Sequence, residues 1–322
     1  MSDSTRSLSA DFRAAAETAV HQCLDLSADE SIAIVTDDER RPIAEAFYAV
    51  SCAVTDDATL VQYQPGSQHG QEPPGPVAAA MKETDAFLAP TTRSLSHTRA
   101  RSAACKAGAR GATLPGITER VMIAGLDADY EAIAEHSANV KAQVAHADEI
   151  RVTTPAGTDI TFETGDREWH EDTGIIHDPG SFSNLPAGEV FVAPESADGT
   201  FVVDGTMMPH GLLEEGQELV FEVEDGYVTH IADEAVRADV DAAVEEVGSA
   251  ARNIAELGIG TNVGVDDLVG SVLLDEKAAG TVHIAIGDDA SIGGETEAPI
   301  HLDGILREPT VYADGEPVAL PR

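Results

Sequence analysis

Residues 11–36 read DFRAAAETAVHQCLDLSADESIAIVT, and the two ends of this stretch follow different periods. Phe12, Ala15, Ala16, Ala19, Val20, Cys23 and Leu24 recur at three- and four-residue intervals, the spacing that gathers apolar groups on one face of a helix. Ser31 to Thr36 is instead a short apolar run of the kind a buried strand needs. A helix leading into a buried strand is the first sign of an α/β arrangement.

The same alternation continues outward from there. Helical spacing returns around Pro42–Cys52 and Val77–Lys82, and strand-like runs fall at Thr59–Tyr63 and Ala86–Ala89, with a Pro-, Gly- and Gln-containing loop over 64–76. Alternating units favour a largely parallel sheet covered by helices. A long helical stretch, Asp127–Ala147, ends this pattern, and a domain boundary is expected near Asp148. Beyond it, Glu149–Thr153 and Thr158–Glu163 flank Pro155-Ala156-Gly157 as a hairpin, and short strands follow at Val190–Ala193, Thr200–Val203, Glu218–Val223 and Gly226–Ile231. The β-rich half holds one clear helix, about Glu234–Leu257. The expected fold is therefore α/β plus α+β, with a largely parallel α/β domain over 1–148 and a β-rich α+β domain over 149–322.

A length of 322 residues is consistent with two such domains. The charge balance is extreme: 19 basic against 58 acidic residues, a net −39, repels nucleic acid and anionic lipid, so neither is expected as a partner. The acids are spread along the whole chain, as on the solvent-facing surface of a folded protein. Only Lys82, Lys106, Lys141 and Lys277 are lysines. This composition resembles that of proteins from salt-loving archaea, in which concentrated salt screens self-repulsion. No charged-then-apolar signal pattern opens the chain and no window approaches eighteen apolar residues, so the expectation is a soluble cytoplasmic protein. Cys23, Cys52 and Cys105 lack metal-like spacing and read as buried thiols.

Most of the eleven histidines have an ordinary structural reading. His21, His136 and His146 lie in helical patterns, His69 lies in a Gly-containing loop, and His97 follows a strand where Ser96 or Thr98 can cap the next helix. His170, His177 and His210 lie near loops that could line a pocket. His283, inside the apolar run Thr281–Gly287, is by itself the mark of a core strand. Eighteen residues later comes His301-Leu302-Asp303, and side chains at i and i+2 of a strand share a face. His283, His301 and Asp303 then form the two-histidine, one-carboxylate combination that holds a first-row divalent metal.

Glu189, opening the strand Val190–Ala193, and Glu256, near the end of the long helix, read as exposed acids on composition alone. Joined to the other three they would make a set of three carboxylates and two imidazoles, enough to hold two divalent ions with one bridging carboxylate. Dinucleotide, phosphate-loop, nucleophile-elbow and zinc-protease motifs are absent.

Four blocks, NLPAGEVF at 184–191, AELGIGTN at 255–262, GTVHIAIG at 280–287 and HLD at 301–303, resemble the aminopeptidase T (thermophilic metalloprotease) family. The likeness covers roughly 166–317, and Ser94–His97 resembles shorter leucyl-aminopeptidase-like members. The resemblance implies a homodimeric metallo-aminopeptidase acting on small peptides, with Glu189, Glu256, His283, His301 and Asp303 binding two metal ions (Zn, Co, Mn or Mg) and the glutamates serving catalysis. The chain departs from the family at Ala290, about where the peptidases carry a tyrosine, so a metal-site hydroxyl is missing. A second branch resembles dihydroxypyridine ring-cleaving dioxygenases. It implies one ferrous ion on His283, His301 and Asp303. A non-catalytic metal-binding or small-molecule-binding protein is the third reading.

Overall fold

A computed structural model describes residues 9–322. The chain divides into two compact units, one running to Ala132 and taking up Thr173–Ala187, the other formed by Ile133–Asp172 and Gly188–Arg322. A single cut near Asp148 does not reproduce this division, because the short strand Phe182–Asn184 leaves the second half of the sequence to pair with Arg110–Pro115.

In the first unit the opening helix, Ala10–Glu17, is capped by Ser9, whose hydroxyl accepts from the amide of Phe12 at 3.2 Å. It continues as a wider turn over Thr18–Cys23, and all seven apolar positions of the sequence pattern are buried. The strand Ile32–Thr36 is buried along its whole length. It lies in a five-stranded parallel sheet ordered Ala58–Gln62, Ile32–Thr36, Ala86–Thr91, Arg110–Pro115, Phe182–Asn184. Helices Arg41–Val54, Gly75–Lys82 and Arg99–Ala107 connect the strands, as a parallel sheet requires. Thr98 caps the last of these by accepting from Arg101, while Ser96 bonds Thr113 and Asn184. Cys23 is buried, but Cys105 is half-buried and Cys52 is exposed, because Cys52 falls on the outer face of its helix.

The second unit contains two seven-stranded sheets. One holds the expected hairpin, Glu149–Thr153 with Asp159–Glu163, whose turn uses Gly157 at φ 108°. The other runs Gly211–Leu212, Thr206–Met207, His301–Leu306, Val282–Gly287, Ile254–Gly260, Glu189–Val192, His170–Asp172, all antiparallel. Val190, Val192, Leu257, Ile259, Val282, Ile284 and Ile286 point from one face of that sheet into the core.

The helix expected over Glu234–Leu257 is shorter than its pattern. It ends at Val247, where Gly248 turns to φ 71°, and after a tight turn over Gly248–Arg252 the chain becomes the strand Ile254–Gly260. Seven consecutive buried residues fit a strand covered on both faces. Glu256 thus sits mid-strand, not at a helix end. Among the described residues no helix is long and apolar enough to cross a membrane.

Candidate metal centre

The face of the second sheet opposite its core face carries the chemistry. Register pairs Glu189 with Gly260, Gly258 with His283, Ala285 with both Glu256 and Asp303, and Gly287 with His301. Glycine or alanine therefore stands across from each long polar side chain. The room this leaves is used: a Cβ on Gly258 would lie 2.0 Å from Nε2 of His283. The alternation of a strand explains why His283 appears in an apolar run, since its neighbours Val282 and Ile284 face the core.

Glu189, Glu256, His283, His301 and Asp303, drawn from four strands, meet on this face. They form two groups that share Glu256: Glu189, Glu256 and His283, and Glu256, His301 and Asp303, each with ligand atoms within 4.8 Å of one another. Among the described residues no such group joins His283 directly to both His301 and Asp303. Glu256 lies between them, its Oε1 3.1 Å from Nε2 of His283 and its Oε2 3.4 Å from Nε2 of His301. Oδ1 of Asp303 is also 3.4 Å from Nε2 of His301.

The two imidazoles are held differently. His301 Nδ1 lies 2.7 Å from the carbonyl oxygen of Asp288, which can only accept, so Nδ1 carries a proton and donates it. Nε2 is then the nitrogen turned toward Glu256 and Asp303, with its other nitrogen anchored as metal-binding histidines usually are. His283 Nδ1 is buried without a hydrogen-bond partner, and its Nε2 meets Glu256 at 3.1 Å and Glu189 Oε2 at 3.5 Å. Access differs in parallel. The His301 side chain is 34% exposed and Asp303 12%, against 1% for His283 and 8% for Glu189.

Electrostatics favour positive charge here. Burial pushes His283 down, but the hydrogen bond it donates to Glu256 and the charges of Glu256 and Glu189 outweigh it and raise the imidazole to about 9. Burial opposes charge on His301 too, and Asp303 and Glu256 raise it well above the ordinary range. Glu256 is itself lowered, its burial more than offset by His283 and His301. Such a cluster calls for a cation. A first-row divalent ion with bonds of about 2.1 Å sets neighbouring ligand atoms about 3 Å apart, and the 3.4 Å separations around His301 are close to that spacing. The oxygen and imidazole donors of Glu256, His301 and Asp303 therefore fit a divalent metal.

Sequence reasoning did not single out Lys277. It is buried, with Nζ 2.5 Å from Oε1 of Glu189 and 2.7 Å from Oε1 of Glu276. Burial lowers a lysine, but the two carboxylates overcome it and keep the ammonium charged. Its rarity was the available signal: one lysine of four, six residues before His283.

Ala290 lies exposed in the short turn Ala290–Ile292. The fold is shared with both branches. The structure of 2,5-dihydroxypyridine dioxygenase from Pseudomonas putida KT2440 superposes with a TM-score of 0.76 at 20% identity over 95% of each chain. Wild-type AmpT from Thermus thermophilus gives 0.66 at 19% identity, over 96% of this chain and 99% of that one. Sequence decides between them. A curated Pseudomonas putida relative, 2,5-dihydroxypyridine 5,6-dioxygenase, is 26% identical over 183 residues, which is 53% of this chain and 52% of the relative, so the alignment spans about half of that protein. The family profile described as NicX, 2,5-dihydroxypyridine 5,6-dioxygenase, matches residues 11–320. These matches overturn the expectation of a hydrolase with aminopeptidase activity, which rested on the resemblance of four short blocks. The chain belongs to the NicX, 2,5-dihydroxypyridine 5,6-dioxygenase, family.

Proposed function

We propose that this protein is a ring-cleaving dioxygenase that holds one ferrous ion on Glu256, His301 and Asp303 and acts on a dihydroxylated pyridine or a closely similar dihydroxylated ring. The family match over residues 11–320 supports the reaction class. The observation that carries the choice of ligands is the anchored tautomer of His301, whose Nδ1 is committed to the Asp288 carbonyl. This set differs from the His283, His301 and Asp303 triad expected from sequence, because Glu256 lies between the two imidazoles.

A ferrous ion, when bound, supplies the one-electron chemistry that lets triplet dioxygen react with a singlet aromatic ring. The protein's part is positioning. His301 and Asp303 lie on the accessible side of the group, where an organic ring and dioxygen can approach. On the closed side, His283 donates from Nε2 to Oε1 of Glu256, which leaves Oε2 turned toward His301. Glu189 is held away from that position by Lys277. The buried half thus orients ligands and excludes water.

The test is oxygen consumption by protein loaded with Fe(II) under anaerobic conditions and then mixed with 2,5-dihydroxypyridine and air-saturated buffer in molar salt. One dioxygen consumed for each ring lost, followed by the aromatic absorbance, is the expected result. Folded, iron-loaded protein that consumes no oxygen with this or other dihydroxylated pyridines contradicts the proposal.

A further inference from the structure

The group formed by Glu189, Glu256 and His283 has the composition of a second metal site, and it shares Glu256 with the first. Its charge is already met from within the chain. Lys277 places its ammonium against Glu189 and Glu276 at 2.5 and 2.7 Å, and it is the only one of the four lysines that is buried. In a protein with a net charge of −39, a buried lysine here is a marked exception to the surface composition.

The lysine is also rigidly delivered. Its amide donates to the Leu274 carbonyl at 3.0 Å, and its carbonyl accepts from Asn262 at 2.8 Å. Just before it, the buried carboxylate of Asp275 accepts from the amides of Val269 and Gly270 and the hydroxyl of Thr206, which fixes the segment that carries Lys277. The backbone that carries the side chain is thus fixed, and the ammonium at its end is held by Glu189 and Glu276. The remaining oxygen of Glu189 faces His283, whose far nitrogen lacks the anchoring acceptor that His301 has.

We infer that Lys277 is a resident cation that takes the place of a second metal ion and fixes the metal count of this centre at one. A divalent ion on Glu189 and His283 would sit beside a fixed positive charge, with one oxygen of its carboxylate already engaged. This inference rests on the proposed single-metal centre, and it makes Lys277 a positioning residue, not a ligand.

The experiment is metal content per chain, measured by mass spectrometry of the metals after the whole protein is incubated anaerobically with excess Fe(II), or separately Mn(II), and passed over a chelating resin in molar salt. Wild type and K277R are expected to retain about one ion. K277M, which keeps the length of the side chain and removes its charge, is expected to rise toward two. If K277M does not fold, judged by circular dichroism, the K277M/E276Q double variant removes one negative charge with the positive one and carries the same comparison. Two ions in wild type, or one ion in whichever of these charge-removed variants folds, overturns the inference. Oxygen uptake reads the proposed reaction separately. One metal with no oxygen uptake leaves the role of Lys277 standing and removes the dioxygenase reading, whereas uptake with two metals does the reverse.

Discussion

Removal of the Glu30 carboxylate should destabilise the first unit by an amount that depends on pH in a defined direction. Arg110 is 5% exposed, and its guanidinium meets Glu30 at 2.5 and 2.9 Å while also donating to the Leu24 carbonyl at 3.0 and 2.9 Å. One side chain thus ties the end of the opening helical segment to the first residue of an interior strand of the sheet. The Arg110 hydrogen bond, opposed in part by burial and helped by Ser27, lowers Glu30 from 4.5 to about 2. A drop of that size is equivalent to roughly 3 kcal/mol of stability. Because 23% of the Glu30 side chain faces solvent, about 2 kcal/mol is the better expectation. The folded-state value lies below the unfolded one, so the contribution is complete above pH 4.5 and is lost as pH falls toward 2. Denaturant unfolding of wild type and E30Q in molar salt should therefore differ by about 2 kcal/mol at pH 7, and by less than half of that near pH 3. Salt should change the difference little, since the pair is mostly buried. A difference under about 0.5 kcal/mol at pH 7, or one that stays constant down to pH 3, refutes the reasoning.

Three further outcomes follow from the site and the surface. H301A should weaken Fe(II) binding more than about a hundredfold, whereas H283Q, which touches the ligand Glu256 from outside, should weaken it about tenfold; competition with a chromogenic chelator measures both, and equal losses would contradict the different roles given to the two imidazoles. G258A should cost about 1 to 3 kcal/mol in denaturant unfolding by driving a methyl group into the His283 ring, and an unchanged midpoint would show that the ring has room to move. With a net charge of −39, transfer from molar to millimolar salt should lower the melting temperature steeply; identical melting curves at the two salt levels would rule out screening as the reason the acidic surface is tolerated.

Periodicity made the first unit legible. The apolar face from Phe12 to Leu24 and the run Ile32–Thr36 carry their structure in their spacing, because a helix and a buried strand leave different intervals between apolar residues. Phe182–Asn184 escaped the reading, since three residues carry too little pattern to reveal that they join a sheet built some seventy residues earlier. Glu256 was placed at the end of a helix because Ile254–Gly260, buried on both faces, lacks the alternation that marks a half-exposed strand. The i, i+2 spacing of His301 and Asp303 correctly put them on one face. How the five polar residues group was not legible: it involves the Asp288 carbonyl behind His301 and Lys277 beside Glu189, contacts across thirteen and eighty-eight residues of sequence. The four short blocks did not separate peptidase from dioxygenase; the match of the family profile over residues 11–320 did.

The central claim, that one metal is bound by Glu256, His301 and Asp303, is most directly tested by anomalous X-ray diffraction at the iron edge from crystals of the Fe(II)-loaded protein. The account predicts a single peak within bonding distance of Oε2 of Glu256, Nε2 of His301 and Oδ1 of Asp303, with Lys277 still paired to Glu189. A peak bound by Glu189 and His283, alone or as one of two, would contradict it.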